Sequence, residues 1–368
     1  MLHVVSQLPV GGVENMLLKV VSSYDKKRFR ASVCCIRTGG EIADQLKQLG
    51  YRVEVFNRMK GHGFDIGAVL ALYKFIKKEK VHILRTHQYH ANLYGRIAGI
   101  LAGVPVIIPS YHSRYVSPHR PKLHRRLINR LLGFFSDALV AVSGAVASDV
   151  LEFDRVPQHK LRVIHNGIML DDFLRSADRP EMRKRFSLPS DVLLIGSVGR
   201  LKPEKGHSLL LEAASRSRHE MAVAIAGEGP LRHDLEDQAR RLRITVLLPG
   251  MLQPAEIPAF LKALDIFCFP SLWEGMPSAL IEAMAAGLPV ISSDIPAARE
   301  ILGDSGMFVK ANDAAALSSA IDELVEGAGL REDLVKRGRE QCLSFSLQQT
   351  VESYQKLFDE IMKRKGIL

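Results

Sequence analysis

The chain lacks several features that would place it in other classes of protein. It has no uninterrupted apolar run of the roughly 18 residues that a transmembrane helix needs. Its few cysteines, Cys34, Cys35, Cys268 and Cys342, show no metal-ligand spacing. Cys34 and Cys35 would point to opposite faces of one strand, so we expect buried thiols in a reducing cytoplasm and not a disulfide framework. The chain begins almost directly with the strand-like run 2–5, and no secretory signal is visible there.

Motifs for several other ligands are also missing. No Gly-x-Gly-x-x-Gly follows an early strand-like run and no Gly-x4-Gly-Lys-Ser/Thr occurs, which argues against dinucleotide and P-loop sites. Lysine and arginine number 50 against 40 acidic residues, and the net charge of +10 indicates a polyanionic partner or surface. There is no nucleic-acid motif, and aromatic residues are not interleaved with the basic ones, so we expect no nucleic-acid partner.

One segment, residues 119–135, combines basic and apolar residues in the pattern of a helix that lies at a membrane interface. Its cations Arg125, Arg126 and Arg130 are predicted to contact an anionic membrane surface. The protein would then be cytoplasmic and peripheral on the inner face of the plasma membrane. The alternative is an ordinary packed helix, whose Leu/Ile stripe faces the core and whose basic face is solvated.

Hydrophobic patterning predicts an α/β protein with two domains. In both halves β-branched runs alternate with helical patterns, which is typical of parallel sheets covered by helices on both faces. The polar stretch 171–191 separates the halves and is the predicted linker. Strands are predicted at 2–6, 31–36, 52–56, 82–86, 105–109 and 137–142 in the first half, and at 192–198, 221–226, 244–248, 265–270, 289–292 and 306–309 in the second.

Glu274 and Glu282 frame a loop that runs into a predicted helix N-terminus between two apolar runs. A helix N-terminus favours anions, because its first N–H groups lack intrahelical partners and the macrodipole adds partial positive charge. Gly275 allows a ligand to approach closely, Pro277 suits a helix start, and Ser278 is expected to cap the helix or reach a phosphate oxygen. Amides for phosphate and two carboxylates for hydroxyl groups are the outline of a sugar-nucleotide site.

Two cations lie in the loop after the predicted strand 192–198. Arg200 and Lys205 precede a predicted helix, and a guanidinium with an ammonium suits the charged oxygens of a diphosphate. Fixed cations aimed at a leaving group act where charge develops in the reaction. Gly11 and Gly12 form a second glycine-rich entry to a helix, suited to phosphate or sugar or needed only for the turn.

Two histidines follow predicted strands and are therefore expected at the ligand-binding edge of the first sheet. His112 comes after the strand 105–109, and His87 after the strand 82–86. A histidine there can relay the proton of an acceptor hydroxyl near neutral pH, or it can simply pack in the fold.

The segment 269–291 resembles the Glu-x7-Glu motif of the retaining glycosyltransferases of family 4. Other stretches resemble motifs of the same family and occur in the family's order over essentially the whole chain. They are the Gly-Gly loop at 9–14, His165-Asn-Gly-Ile168 with Phe173, the Gly-Arg-Leu…Lys-Gly loop at 199–206 and the Gly-x-Gly-Pro turn at 226–231.

The resemblance implies the GT-B architecture, with two facing Rossmann-like doubly wound domains and a central cleft. Domain 1–172 would bind the acceptor and domain 173–349 the nucleotide sugar, and a terminal helix at about 350–368 would pack back on the first domain. The implied activity is retaining transfer of a sugar from a nucleotide-diphosphate-sugar donor to a glycan or lipid-linked acceptor. This reaction would serve cell-surface polysaccharide or glycolipid biosynthesis.

The resemblance also implies roles for single residues. Arg200 and Lys205 would bind the diphosphate, Glu274 the hydroxyls of the donor sugar and Glu282 the ribose, while His112 would contact donor sugar and acceptor. Glu274 as a covalent nucleophile is the alternative route to retention. The catalytic set is Glu274, His112, Arg200 and Lys205, with His87 as a further acceptor or sugar contact. The nucleotide-sugar set is Gly11, Gly12, Arg200, Lys205, Gly227, Gly229, Gly250, Met251, Glu274, Gly275, Met276, Pro277, Ser278 and Glu282.

No cofactor and no metal are expected. The Asp-x-Asp metal motif of the other major transferase fold is missing, so the cationic loop is expected to neutralise charge in place of a metal. Two other functions fit the same motifs: a nucleotide-sugar 2-epimerase, and a catalytically silent sugar-nucleotide-binding membrane scaffold. The sequence leaves the base, the sugar, the acceptor, the linkage and the oligomeric state open.

Overall fold

The computed structural model describes residues 1–59, 63–116, 120–175 and 178–367. His119 of the basic segment, positions 176–177 of the predicted linker and Leu368 of the terminal helix prediction lie outside the described residues. The chain folds into two compact units, one formed by Met1–Gly167 with the segment from Leu347, and the other by Ile168–Ser346.

The boundaries between the units differ from the predicted positions after residues 172 and 349. The first crossing lies after Gly167, because Ile168 already belongs to the second unit: its N–H donates to the carbonyl of Phe345 at 2.9 Å, and it pairs with Ser346. Phe173 is buried in the core of the second unit.

The described residues of the predicted linker, 171–175 and 178–191, are folded into the second unit. Its buried Arg183 donates to the Asp265 carboxylate at 2.5 Å and to the carbonyl oxygens of Ala263 and Ser190 at 3.0 and 2.7 Å. A charged sequence therefore marks a structured segment here, because one buried guanidinium satisfies several backbone and side-chain acceptors.

The first unit is built on a parallel sheet with helices on both faces. Its strands in the described residues are β1 (Leu2–Gln7), β2 (Ser32–Thr38), β3 (Arg52–Val55), β4 (Ile83–His87), β5 (Val106–Tyr111), β6 (Leu139–Ala141) and β7 (Leu161–Val163). Their spatial order is β3-β2-β1-β4-β5-β6-β7, and every neighbouring pair is parallel. Its helices up to the crossing are α1 (Gly12–Ser23), α2 (Glu41–Gln48), α3 (Ile66–Lys78), α4 (Gln88–Ala102), α5 (Leu123–Phe134) and α6 (Gly144–Asp149).

The central strands of this sheet are buried on both faces, as the cysteines show. Adjacent Cys34 and Cys35 are both fully buried, and they belong to two different hydrophobic clusters because successive side chains of a strand point to opposite faces. All four cysteines are free and buried, which confirms the prediction of buried thiols.

The second unit has a sheet of the same kind. Its strands in the described residues are β8 (Leu193–Val198), β9 (Met221–Ala226), β10 (Thr245–Gly250), β11 (Ile266–Phe269), β12 (Val290–Ser293) and β13 (Met307–Val309). They are parallel in the order β10-β9-β8-β11-β12-β13. Its helices are α7 (Asp171–Leu174), α8 (Arg179–Arg185), α9 (His207–Arg216), α10 (Arg232–Leu242), α11 (Ile257–Ala263), α12 (Ser278–Ala285), α13 (Pro296–Leu302), α14 (Ala314–Glu326) and α15 (Ala328–Cys342).

The last helix, α16 (Leu347–Arg364), packs on the first unit against α1 and β5. Tyr354 and Phe358 lie in the same hydrophobic cluster as residues of β4 and β5. Thr350 donates its hydroxyl to the carbonyl of His165 at 2.9 Å, and Asp359 pairs with Arg28 at 2.6 Å. Amphipathic periodicity identifies such a helix, but only these contacts show which sheet it covers.

Candidate functional site

The order of the second sheet creates a ligand-binding position between β8 and β11. Chain connections leave these two neighbouring strands in opposite directions, toward β9 on one side and β12 on the other. At such a switch point the loops after the strands diverge and leave a crevice at the carboxyl edge of the sheet. The loops at this position are residues 199–206 after β8 and residues 270–277 after β11.

These two loops are in direct backbone contact. The N–H of Leu272 donates to the carbonyl of Glu204 at 2.8 Å. Gly206 has φ +67°, and a Cβ at this position would lie 2.1 Å from the carbonyl oxygen of Pro270. Only glycine permits this approach, so Gly206 sets the position of the cationic loop against the acidic one.

The two loops place a lysine and a glutamate of the predicted site in an ion pair. Lys205 Nζ lies 2.5 Å from Glu274 Oε1, and the hydroxyl of Ser271 donates to the same oxygen at 3.1 Å. The Lys205 and Glu274 side chains are 19% and 15% exposed, so the pair is largely screened from water but still accessible. Arg200, on the same loop as Lys205, is exposed.

Glycines of the predicted nucleotide pocket pack the neighbouring loops together. A Cβ at Gly227, which has φ +152°, would lie 1.9 Å from the Gly199 carbonyl oxygen, and one at Gly229 would lie 2.4 Å from that of Leu201. The Gly227 N–H donates to the carbonyl of Gly250 at 2.8 Å. Close packing of the backbone therefore requires glycine at Gly227 and Gly229, independently of any contact that they make with a ligand.

Two further residues of the predicted nucleotide pocket differ in exposure. Met251, after Gly250, is 58% exposed, whereas Gly275 is buried.

Helix α12 begins at Ser278, directly after the acidic loop. Pro277 is the N-cap and Ser278 the first helical residue, and no side-chain cap hydrogen bond forms. The expected capping role of Ser278 is therefore wrong, because its hydroxyl follows the cap position instead of occupying it. Glu282, four residues further on, and Met276, just before the helix, are partly buried.

His207, which the sequence analysis missed, is the first residue of α9 and lies next to the cationic loop. It is buried, and within the described parts of the chain its Nδ1 has no hydrogen-bond partner. Burial, and next the positive charge of Lys205, lower the pKa of His207 to about 3. Its position after a Lys-Gly pair was the only signal that sequence offered.

The first unit has its own switch point, between β1 and β4. A small cavity of about 10 Å³ there is lined by the end of β1, by Glu14 of α1 and by His87 and Gln88. Gly11 has an extended backbone, and a Cβ on it would lie 2.4 Å from Glu14 Oε2; a Cβ on Gly12 would meet nothing within 4 Å. Gly11 is therefore needed for the close contact with Glu14, whereas the space beside Gly12 is open at the start of α1, where an anion is favoured.

His87 and His112 come together with a third histidine that the sequence analysis missed. His87 Nε2 lies 3.1 Å from His3 Nδ1, and His87 Nδ1 lies 3.2 Å from His112 Nε2. Beside them Arg85 is fully buried: it donates to the Tyr24 hydroxyl and to the Ser110 hydroxyl, both at 3.0 Å. The sequence offered one signal for the third histidine: His3 is a polar residue inside the otherwise apolar start of β1.

The environment keeps these histidines neutral. Burial, and next the charge of Arg85, lower the pKa of His112 to about 3 and the pKa of His3 and of His87 well below the usual value. An imidazole with such a low pKa is rarely protonated near pH 7. His112 is therefore poorly suited to take up and release the proton of an acceptor hydroxyl in the way that the sequence predicted.

A larger pocket, of about 280 Å³, is lined in part by His112. Its lining includes Tyr89, Tyr111, Tyr115 and Arg125. The Arg125 guanidinium carbon lies 3.7 Å from the centre of the Tyr89 ring and 5.4 Å from that of Tyr115. This stacking holds a cation at the pocket wall by cation–π attraction.

The orientation of α5 contradicts the interpretation of an ordinary packed helix whose Leu/Ile stripe faces the core, while membrane contact stays a prediction. Arg125 and Arg126 turn inward, the first onto the tyrosines and the second donating to the Phe153 carbonyl at 2.6 Å, and of the three predicted membrane cations Arg130 alone is classed as exposed. Most of its apolar residues turn outward, although Leu132 is buried in the core of the first unit. The exposed ones include Leu123 (67%), Leu127 (57%), Leu131 (60%), Phe134 (57%) and Phe135 (56%).

The described residues offer neither a metal centre nor a membrane-spanning helix. Over 1–59, 63–116, 120–175 and 178–367, no group of three or more His, Cys, Asp or Glu side chains is arranged to hold a metal ion. Over the same ranges, no helix has the length and apolar character required to cross a bilayer.

Comparison with known proteins identifies the family of both halves. The family model "Glycosyltransferase Family 4" matches residues 10–172, and "Glycosyl transferases group 1" matches residues 178–341. The chain is 29% identical over 341 residues to UDP-Gal:alpha-D-GlcNAc-diphosphoundecaprenol alpha-1,3-galactosyltransferase of Escherichia coli, covering 88% of this chain and 86% of that one. It is 28% identical over 257 residues to the putative teichuronic acid biosynthesis glycosyltransferase TuaC of Bacillus subtilis, covering 68% and 64%.

Solved structures agree with this assignment at the level of the fold. Anabaena HepE, solved in complex with UDP and glucose, has a TM-score of 0.86 at 19% identity, with 98% of this chain and 99% of that chain covered. A glycosyltransferase from Rickettsia africae has a TM-score of 0.85 at 22% identity, with 98% of each chain covered. With its two parallel-sheet units and both family matches, the chain belongs to the family 4 glycosyltransferases and has the GT-B fold.

Proposed function

We propose that this glycosyltransferase transfers a sugar with retention of configuration, and without a metal, from a nucleoside-diphosphate sugar to a lipid-linked acceptor at a membrane surface. The reaction would belong to cell-surface polysaccharide or glycolipid biosynthesis. The ion pair between Lys205 and Glu274 at the β8/β11 switch point is the observation that carries the proposal.

The donor site lies in the second unit. Lys205 is fixed by Glu274 and so is already oriented before a ligand binds, while Arg200 on the same loop is exposed and can fold onto a second phosphate oxygen. A preorganised cation stabilises a leaving diphosphate without reorganisation at the moment of bond cleavage. Two cations and the N-terminus of α12 supply the charge neutralisation that a metal would otherwise supply.

Glu274 is proposed to orient the donor sugar and not to attack it. Its Oε1 accepts from both Lys205 and Ser271, and these hydrogen bonds lower the nucleophilicity of that oxygen. Glu282, on α12, is proposed to accept hydroxyl groups of the ribose. Retention would then come from attack and departure on one face of the sugar.

The acceptor site is proposed in the first unit, in the pocket lined by His112 and Arg125. Tyrosine rings suit the apolar faces of a sugar, and the stacked guanidinium suits a phosphate. The Escherichia coli relative takes a GlcNAc-diphosphoundecaprenol acceptor, and an acceptor of that class, a sugar on a polyprenyl diphosphate, fits a pocket with this combination of groups.

The exposed face of α5 is proposed to enter the membrane interface. Its inner face lines the pocket through Arg125, and its outer face presents leucines and phenylalanines, with Arg130 beside them. One helix would thus contact the polar head of the acceptor on one side and the lipid surface on the other. This arrangement supports a cytoplasmic enzyme that works on the inner face of the plasma membrane.

Purified protein with UDP-, GDP- or ADP-sugars and a short-chain prenyl-diphosphate sugar tests the proposal. We expect release of the nucleoside diphosphate only with acceptor present, a product with the anomeric configuration of the donor, and unchanged rates in excess chelator. Release without acceptor would favour the epimerase. Binding of the nucleotide sugar without turnover on any acceptor would favour the silent scaffold, and restoration by Mg²⁺ after chelation would contradict metal independence.

A further inference from the structure

Three histidines from three neighbouring strands form one hydrogen-bonded row in the first unit. His3 lies in β1, His87 ends β4, and His112 follows β5. The nitrogen pairs are His3 Nδ1 with His87 Nε2 at 3.1 Å, and His87 Nδ1 with His112 Nε2 at 3.2 Å. In each pair one nitrogen must donate and the other accept, so the tautomers of the three rings depend on one another.

The far end of the row sets its direction. His3 Nε2 lies 3.2 Å from Met1 Sδ, and a thioether sulfur accepts hydrogen bonds but has no hydrogen to donate. His3 Nε2 therefore carries the hydrogen. A neutral ring has only one N–H, so His3 Nδ1 is bare and accepts from His87.

The same step repeats along the row. His87 uses its hydrogen on Nε2 to donate to His3, so its Nδ1 is bare and accepts from His112 Nε2–H. His112 Nδ1 is then bare as well. Among the described residues no hydrogen-bond partner lies opposite this buried atom.

Each ring carries a single N–H only while it is neutral, and the surroundings of the row favour neutral rings. The charged Arg85 beside the row is held by Tyr24 and Ser110, and its guanidinium carbon lies 3.6 Å from the centre of the Tyr354 ring. A second positive charge inside the row would lie close to this fixed cation in a buried environment, which disfavours an imidazolium.

We infer that His3 and His87 are positioning residues that hold His112 in its Nε2–H tautomer, so that the bare Nδ1 accepts a hydrogen bond from a substrate hydroxyl. His112 lines the 280 Å³ pocket proposed for the acceptor, so the hydroxyl belongs to a sugar bound there. This inference rests on the proposed function for the identity of the ligand, but the tautomer itself belongs to the free protein. No proton needs to be stored on His112, in agreement with its neutral state.

Nitrogen-15 NMR of histidine-labelled protein without substrate tests the tautomers directly. Resonances are assigned with the variants His3→Asn, His87→Asn and His112→Asn. We expect all three rings to be neutral at pH 7 and protonated at Nε2. A hydrogen on His112 Nδ1, or an imidazolium at His112, would overturn the inference.

Two variants at His3 test the effect on turnover. In His3→Leu the buried His87 Nε2–H loses its acceptor, which costs the present tautomer about 1–3 kcal/mol and shifts the tautomer ratio by roughly 5- to 150-fold. We expect kcat to fall with that ratio and His112 Nδ1 to become protonated. In His3→Asn the amide oxygen can take the place of Nδ1, so most of the activity and the original tautomer should return.

The two readouts separate this inference from the proposed function. Equal losses of kcat in His3→Leu and His3→Asn, with His112 unchanged by NMR, would assign His3 a merely structural role and reject the inference. Absence of transferase activity in the wild type would reject the proposed function, while the NMR measurement still decides the tautomer.

Discussion

The ion pair between Lys205 and Glu274 allows a sharp test of the donor site, because it separates a cation that acts on the diphosphate from one that only balances a carboxylate. The perturbation is Lys205→Met, which keeps the length of the side chain and removes its charge. Lys202→Met on the same loop is the matched control, since Lys202 is not part of the proposed site.

The structure sets the expected magnitudes. Loss of a preorganised donor to developing charge costs about 10²–10³ in turnover. The side chains are 19% and 15% exposed, so the coupling of the pair in unfolding free energy should fall between about 1 kcal/mol for exposed pairs and about 3–5 kcal/mol for the breaking of buried ones. We expect a coupling of roughly 2 kcal/mol.

The assay uses a reporter that the chain supplies. The single tryptophan, Trp273, precedes Glu274 in the loop 270–277, so its fluorescence follows both urea unfolding and titration with UDP, GDP or ADP. Lys205→Met should lower kcat at least 100-fold and weaken diphosphate binding at least tenfold, whereas Lys202→Met should stay within about twofold.

A double variant with Glu274→Gln decides between the two roles of Lys205. If Lys205 acts on the diphosphate, Lys205→Met/Glu274→Gln regains stability relative to the additive expectation, but its affinity for the nucleoside diphosphate stays as low as that of Lys205→Met. Recovery of diphosphate affinity in the double variant, or an unchanged affinity in Lys205→Met, would refute the proposed role.

Other predictions concern the cationic loop, α5 and a buried histidine. Arg200→Ala should cut turnover at least 100-fold and leave the unfolding midpoint unchanged, and near-wild-type activity would remove Arg200 from the site. Leu127→Ser with Leu131→Ser should weaken binding to vesicles of anionic lipid measured by co-sedimentation, while Leu101→Ser, on an exposed leucine of α4, should not; equal effects would reject α5 as the membrane face. His207 has its pKa lowered to about 3 in the folded state, so its stabilising contribution is present above about pH 6.5 and is lost as the pH falls toward 3. His207→Leu should therefore remove about 1.4 kcal/mol per pH unit from the pH slope of the unfolding free energy between pH 6 and 4, and an unchanged slope in urea titrations would contradict the burial argument.

The carboxylate and cation motifs show which part of the candidate site can be identified from local sequence. Arg200, Lys205 and Glu274 were recognised because residues of these types follow apolar runs, and the structure brings Lys205 and Glu274 within 2.5 Å although 69 residues separate them. Their meeting depends on β8 lying beside β11, which is a property of strand order and not of either loop. Sequence periodicity carries no information on which strands are neighbours.

Helix α5 shows the opposite case. Its amphipathic pattern was recognised, but the packed-helix interpretation assigned the wrong face to the core: Arg125 and Arg126 pack inward, and Leu123, Leu127 and Leu131 are exposed. The hydrophobic period shows that the helix has an apolar and a basic face, but it does not show which of the two faces is buried. Tyr89 and Tyr115, from elsewhere in the chain, decided it by stacking on the guanidinium of Arg125.

Sequence by itself determined the class of fold, most of the strands and the residues with chemical character, because hydrophobic period, turn residues and motifs are local properties of the chain. It missed β7, whose three residues are partly or fully exposed and form no apolar run. Only the tertiary structure decided the position of the unit boundary at Ile168, the orientation of α5, and the row formed by His3, His87 and His112. Each of these depends on contacts between segments far apart in sequence, which exist only after the parallel strands have taken their order in the sheet.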